Sequence, residues 1–263
     1  MANATPGKRR DFADDAPATA DSVTWRSLEV LGAFDAEHPQ LSLSEISRRA
    51  GLPLATTHRL AAELQRWGAL DKEQNKFVIG QKLWQIGRLA PVQQDIAELA
   101  APYMQDVLFV TQNVVNLFIL DGESVLLLER ISGTRAGSPF RRVGSHMGLH
   151  ASAAGKVMLA HLGMDLLPRE TELEAFTKFT LTGRKALEAE IKQVRQQGFA
   201  TTSQESGLDN FGLAVPIQLV TGRVVAALGV VSQGQPPSVG SVVPVLRIAA
   251  RGIARSLARR EMI

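Results

Sequence analysis

The sequence predicts an N-terminal winged helix-turn-helix, mainly α, joined by a linker helix to an α+β domain with an antiparallel sheet. Three observations carry this. Residues 23–80 run helix, short helix, tight turn, helix and hairpin. Residues 81–112 hold one amphipathic helical stretch after another. From residue 113 two apolar strand pairs bracket a helix-rich middle, and a basic amphipathic helix follows. The expected divisions are a tail over 1–21, a winged helix-turn-helix over 22–80, a linker over 81–112 and a second domain over 113–263.

The 263 residues suffice for two cores, and a hydrophobic content of 45% is that of a globular chain. The opening "MANATPGKRRDFADDAPATAD" is the exception. It has three basic and four acidic residues and no periodic apolar face, the composition of a disordered tail. It lacks the apolar run of a signal peptide, and no later run is long enough to span a membrane, so a cytoplasmic location is expected. The chain has no cysteine, which excludes disulfides, thiolate catalysis and cysteine metal sites and fits a reducing compartment. A net charge of +3 is compatible with a nucleic-acid partner without pointing to one.

In "SVTWRSLEVLGAFDAEHPQ", Val23, Leu28, Leu31 and Phe34 lie close to a helical stripe that Pro39 ends. In "LSLSEISRRAG", Ser42 or Ser44 caps a short helix, Ile46 and Ala50 face inward, and Gly51 closes it. Only "LP" separates it from "LATTHRLAAELQRWGAL", where Leu60, Leu64 and Trp67 repeat at helical spacing. "LDKEQNKFVIG" reads as two short strands around a polar turn.

The tight Gly51–Pro53 turn forces the second and third helices to cross and leaves the front of the third exposed. That end carries Ala55, Thr56, Thr57, His58 and Arg59, small and polar residues able to reach base edges or phosphates in a major groove. Lys72 and Lys76 on the wing lie where a DNA backbone would pass. Between residues 22 and 90 nine Lys/Arg face seven Asp/Glu. A surplus so small binds DNA only if charge is segregated by face, and a merely solvated helical surface is the competing interpretation.

"QKLWQIGRLAP" continues as helix with Leu83, Ile86 and Leu89 or Ala90 on one side. "VQQDIAELAAPYMQDVLFVTQ" is helical with a kink or interruption near Pro102. Lying between two domains, the stretch is expected to connect them and to pack on a second copy, since a helix-turn-helix reads two half-sites as a dimer. "VVNLFIL" and "SVLLLERISG" flank Asp121-Gly122, a hairpin signal. Helices are expected over 152–161, over roughly 165–176, and over "RKALEAEIKQVRQQG" between a Thr182 cap and Gly198. "FGLAVPIQL" and "RVVAALGVVS" form a second strand pair around Thr221-Gly222. In the last helix Arg247, Arg251, Arg255 and Arg259 make one charged, solvated stripe.

Catalytic constellations are weak. "GLHASAAGKVMLAHLG" resembles a phosphate loop, but position 150 is His where a Walker loop has Gly, and Val157 follows the lysine where it has Ser or Thr. His146 and His150 have the four-residue spacing of two helical metal ligands, yet Gly144 and Gly148 argue for a loop and no carboxylate is near in sequence. Neither Ser152 nor Ser206 lies in a nucleophile elbow. No enzyme, cofactor or metal is expected. What "GLHASAAGKVMLAHLG" does offer is a helix N-terminus with small residues, a favourable place for a carboxylate, with Lys156 facing solvent or a neighbouring carboxylate.

"LSLSEISRRAGLPLATTHRLAAELQRWGAL", the wing ending "FVIG", "LHASAAGKVMLA" and "GLAVPIQLVTGRVVAALGVVS" together resemble the IclR family of bacterial transcriptional regulators, from about residue 23 onward. The resemblance implies a GAF-like effector domain and a dimer, or dimer of dimers, on double-stranded operator DNA, with affinity set by a small organic acid. It implies a reading helix over 54–67 with Thr56, Thr57 and Arg59 at its contact end. The full expected DNA-binding set is Ser44, Ala55, Thr56, Thr57, His58, Arg59, Lys72 and Lys76. The effector pocket it implies falls at Met147, His150, Ala153, Ala154, Thr202, Gly212, Gly229 and Val231. Relatives that bind small oxoacids tend to have Cys, Asp and hydroxyl residues where Gly212, Thr202, Gly229 and Val231 stand. A wider, more apolar pocket and an aromatic carboxylate are therefore expected. The competing function is a small-molecule-binding or enzymatic domain whose N-terminal helices serve assembly alone.

Overall fold

The computed structural model describes residues 22–35, 38–87, 94–133, 142–168 and 173–260; the expected tail over 1–21 lies outside them. The chain divides into two compact units, Met1–Ala90 and Pro91–Ile263.

In the first unit, α1 (Val23–Gly32) begins at Ser22, whose hydroxyl accepts the Trp25 N–H at 3.0 Å. Its expected stripe is corrected. Val30 and Ala33 are the buried positions, with Leu31 and Phe34 packed beside them, while Val23 and Leu28 are exposed. Leu28 is two residues from Val30, about 200° around the helix, and Val23 lies at the helix start beyond the core. A two-residue strand that the sequence did not announce, β1 (Gln40–Leu41), precedes α2 (Leu43–Ala50). Ser42 caps α2 with Glu45 answering in a capping box, and Gly51, at φ 66°, ends it in the left-handed region. After the two-residue break, α3 (Leu54–Trp67) stops at Gly68, φ 92°. Strands β2 (Leu70–Glu73) and β3 (Lys76–Ile79) form the wing, and β1 pairs on the other side of β3 to give the order β1-β3-β2. Val30, Leu41, Ile46, Leu60, Ala61, Leu70 and Phe77 make the core. Trp67, expected inside, is exposed at the helix end, with the Lys82 ammonium 4.2 Å from its ring centroid. α4 (Gln81–Gly87) closes the described part of this unit with Trp84 and Ile86 exposed.

The second unit begins with α5 (Gln94–Thr111), which runs through Pro102 without interruption. Strands β4 (Val114–Asp121), β5 (Ser124–Ile131) and β6 (His146–Gly148) follow, then α6 (Ala153–Leu162) and α7 (Arg184–Gln197). β7 (Ala200–Ser203), β8 (Asn210–Gln218), β9 (Val224–Gln233) and α8 (Val239–Arg260) complete it. The sheet order is β6-β5-β4-β9-β8-β7, antiparallel at every pairing. Both predicted hairpins, β4–β5 and β8–β9, are present.

Three local expectations fail. The segment expected to be helical over roughly 165–176 has only a single 3-10 turn at Met164–Leu166, and its described end, 173–176, is irregular. Pro168 brings no N–H for a continuing helix, and Thr180 Oγ1 instead accepts the Phe176 and Thr177 N–H groups as a local turn. α7 is capped at Gly183, not Thr182, without a side-chain bond. His146–Gly148, expected as loop, is an edge strand on β5.

Strand alternation gives the sheet two different faces. Val115, Leu117, Leu213, Val215, Leu228 and Val230 point toward α5 and α8, where Ala100, Met104, Val107, Leu246 and Ile253 meet them. The inward face of α5 is therefore taken up by its own domain, while Phe109 and Val110 of the same helix are exposed. Tyr103 of α5 lies so close to α8 that a Cβ at Gly252 would come within 2.3 Å of its ring. The opposite face presents Phe118, Leu127, Ala214 and Ala227 to α6 and α7. The Arg247, Arg251, Arg255 and Arg259 stripe of α8 is solvent-exposed, as expected.

Candidate functional site

In the first unit the front of α3 presents Ala55, His58 and Arg59 to solvent, with Thr56 half-buried. Ser44, at the start of α2, and Lys72 and Lys76, on the wing, are exposed as well. Thr57 is corrected. It is fully buried, and its hydroxyl donates to the Pro53 carbonyl at 3.1 Å, so it packs the helix against the core and faces no groove. The cause is periodicity: Thr57 stands three residues before Leu60 and shares its inward face. Glu45 remains ionised below the usual carboxylate range, because the Ser42 N–H and hydroxyl donate to it, with smaller contributions from Lys76 and Arg48.

In the second unit a cavity lies between the second sheet face and the start of α6. Met147, Ala153, Ala154, Thr202, Gly212, Gly229 and Val231, scattered over 85 positions of sequence, all line it. His150 does not. Its Nε2 is 2.9 Å from the Glu174 carbonyl and its ring stacks on Phe176, so it fastens the 173–176 segment. Lining residues that sequence reasoning missed include Asn116, Phe118, Leu127, Arg130, Ser152 and Asn210. Asn116 had a signal, being the lone amide in the apolar run "VVNLFIL".

Polar groups stand among the cavity's mostly apolar walls. Burial pulls the Arg130 guanidinium below its ordinary value. The Oδ1 atoms of Asn116 and Asn210 are shut off from solvent and have no hydrogen-bond partner among the described residues. Space around Gly212 is closely filled. A Cβ there would lie 2.6 Å from Thr202 Oγ1 and 3.4 Å from the Ala153 Cβ, so threonine and helix already occupy that space. Ser152 caps α6, accepting from the Gly155 N–H at 3.1 Å and donating to the Gly148 carbonyl at 2.9 Å. The first-turn N–H groups of Ala153 and Ala154 come before any intrahelical acceptor and begin beside the cavity.

Behind this helix end, Lys156 is wholly buried. Its Nζ lies 2.6 Å from Glu190 Oε1 and 2.7 Å from both carboxylate oxygens of Glu205. The carboxylate half of its expectation holds and the solvent half does not. Burial pushes the Glu205 carboxyl up while Lys156 opposes it. Thr177 and Thr180 donate to the Gln204 and Glu205 carbonyls, pinning the loop that carries Ser206. His146 pairs with Asp121 at 2.9 Å on the surface, apart from His150's partners. No group of three metal-ligating side chains occurs among the described residues, and none of the described helices is long and apolar enough to cross a membrane.

A winged helix-turn-helix and, in the other unit, a domain with a pocket are the parts of a ligand-responsive transcriptional regulator. Residues 24–74 match the IclR helix-turn-helix domain and residues 90–255 the bacterial transcriptional regulator IclR C-terminal domain, so the chain belongs to the IclR family. It is 33% identical to the transcriptional regulator XynR of Escherichia coli over 208 residues, 77% of this chain and 82% of that protein. It is 30% identical to BhcR of Paracoccus denitrificans over 210 residues, 78% of this chain and 75% of that one. Among solved structures, an IclR homolog from Microbacterium hydrocarbonoxydans complexed with 4-hydroxybenzoate matches with a TM-score of 0.82 and 30% identity. The match covers 90% of this chain and all of that one. These relatives are regulators, and the chain is a regulator, not an enzyme.

Proposed function

We propose that the chain controls a catabolic operon by binding operator DNA as a homodimer, and that an aromatic carboxylate in the second unit's pocket sets the affinity. The observation that carries the effector reading is the cavity's construction. Phe118, Leu127, Met147 and Val231 offer an apolar body, and the N-terminus of α6 offers N–H groups at one end. A flat acid has that same division of character, and the helix dipole favours its negative charge there. The Microbacterium hydrocarbonoxydans relative, crystallised with an aromatic acid, supports the class.

On the DNA side, Arg59 and His58 reach base edges or phosphates, while Lys72 and Lys76 contact backbone. A dimer places two such helices on half-sites ~34 Å apart. The effector acts only insofar as it binds one arrangement of the dimer better than the other. The test pairs two measurements on the full chain. Thermal shift with aromatic and aliphatic carboxylates identifies the class, because a ligand that binds the folded state raises its stability. Anisotropy of labelled promoter DNA, with and without the acid that shifts Tm, then reads the response. Tight glyoxylate binding without any response to aromatic acids overturns the effector class.

A further inference from the structure

Asn116 and Asn210 are both more than nine-tenths buried, both line the cavity, and each keeps an Oδ1 with no partner among the described residues. Buried polar atoms without partners are rare in native proteins, because each forgoes the hydrogen bonds it had with water. A chamber with two of them is completed by its occupant. Asn116 does not stand alone at its end. Its register partner on β5 is Arg130, and partners across an antiparallel pair share a face, so both side chains stand on the chamber side of the sheet.

This pair sets the chemistry of its end. A guanidinium carries five N–H donors and no acceptor, enough to serve a protein neighbour and a ligand together, and an amide adds two more donors. The oxygen and nitrogen of the Asn116 amide exchange places by a half-turn of the group, so Nδ2 can face the occupant. Donors dominate there, and burial holds the Arg130 guanidinium below its ordinary value. A facing anion offsets the cost of that buried cation, which a neutral group does far less well.

The sheet sets the two ends of the chamber apart. Arg130, Asn116, Gly229 and Ala214 form one register row across β5, β4, β9 and β8. The start of α6 lies over β8, where Ala153 approaches Gly212, two residues from Ala214. The Arg130 backbone is thus three strand spacings, about 14 Å, from the strand beneath the helix N-terminus. Phe118, Leu127 and Val231 contribute apolar lining.

We propose that the effector is a flat acid with anionic groups at two opposite ends, one at the α6 N-terminus and the other held by Arg130 with Asn116 beside it. This rests on the aromatic-acid reading above and adds a second charge and its position. A carboxylate takes two parallel N–H···O bonds from a guanidinium, a pairing stronger than a neutral hydrogen bond. A ring without the second acid leaves Asn116 unpaired, and sites built to hydrogen-bond a polar group discriminate against analogues lacking it.

The test titrates the full-length protein by calorimetry with benzoate, terephthalate, the monoamide of terephthalate and phthalate. Terephthalate is expected to bind about tenfold or more tightly than benzoate. The monoamide has the same shape and one charge fewer, and is expected to lose most of that gain. Phthalate, whose two charges lie on one side of the ring, is expected to show none of it. Arg130→Gln is expected to bring the ratio of terephthalate to benzoate affinity close to one. Asn116→Asp, which adds a negative charge at the same end, lowers this ratio too and serves if the arginine variant folds poorly. Equal binding of benzoate and terephthalate by the parent protein overturns this inference and leaves the aromatic-acid reading standing. A monoamide or phthalate that binds as tightly as terephthalate also overturns it, as does a terephthalate advantage that survives in both variants. Absence of binding by all four acids overturns both.

Discussion

Lys156 Nζ sits 2.7 Å from each carboxylate oxygen of Glu205, an ion pair inside the second unit, with Glu190 at 2.6 Å on its outer side. The lysine side chain is wholly enclosed, Glu205 nearly so, and Glu190 is 30% exposed. One cation thus ties the start of α6 to the loop between β7 and β8, two walls of the same cavity.

Removing that cation leaves two carboxylates facing each other with little water. Lys156→Met is expected to lower stability by about 3–5 kcal/mol, the usual cost of breaking a buried pair from one side. Lys156→Met combined with Glu205→Leu is expected to recover most of it, because the stranded charge is then gone. Chemical denaturation of the two variants and the parent measures both. A double variant as unstable as the single one would show that shape, not charge, governs the site.

On the reading helix, neighbouring positions separate contact from packing. Arg59→Ala is expected to weaken operator binding by about 1–3 kcal/mol and leave Tm unchanged, since its side chain is exposed. Thr57→Ala is expected to cost about 1–2 kcal/mol of stability through lost packing and the lost bond to Pro53. Anisotropy and thermal melts distinguish the two. A normal operator affinity in Arg59→Ala would remove this helix from the interface.

Gly212 tests the occupancy of the cavity floor. A methyl there meets Thr202 Oγ1 and the Ala153 Cβ. Gly212→Ala is expected to weaken 4-hydroxybenzoate binding by about 1–3 kcal/mol, with Thr202→Ala in the same chain restoring part of it. Calorimetric titration of the single and double variants reads the effect.

The Ser42–Glu45 capping box predicts a pH dependence in the first unit. Glu45 has a lower carboxyl pKa folded than unfolded, so its contribution is complete above the unfolded value, about 4.3. It is lost as pH falls through the folded value. Thermal melts of the parent and Glu45→Ala are therefore expected to differ at pH 7 and to converge toward pH 3. A gap that does not narrow on acidification would assign the stabilisation to something other than the carboxylate.

The order of elements was legible because turn residues and periodicity agree over long segments. Asp121-Gly122 and Thr221-Gly222 mark both hairpins, and Gly51, Gly68 and Gly198 take up the left-handed conformations that end three helices. What escaped was decided by tertiary contact. β6 and β7 are three and four residues long and are strands only because β5 and β8 lie beside them. Thr57 reads as polar, but its place on the helix turns it inward. His150 is polar in a glycine-containing loop, and only the folded chain shows it committed to Glu174 and Phe176. Seven of the eight pocket residues supplied by family resemblance, all but His150, converge on one cavity, whereas Asn116 and Asn210, four strands apart in sequence order, are joined there only by β9 pairing with both β4 and β8.

The six-stranded sheet acts as a partition one residue thick. Its α5/α8 side carries interlocking side chains that hold the domain together, while on its other side the chamber lies between Gly212 and Gly229 of the sheet below and Ala153 and Ala154 of α6 above. Ala153 and Ala154 are buried in the core on that side, so a larger side chain at either grows into the chamber or against its neighbours. A duplicated copy of such a chain is free to acquire a new chemical taste by additions at its ceiling, keeping the same structural chassis underneath.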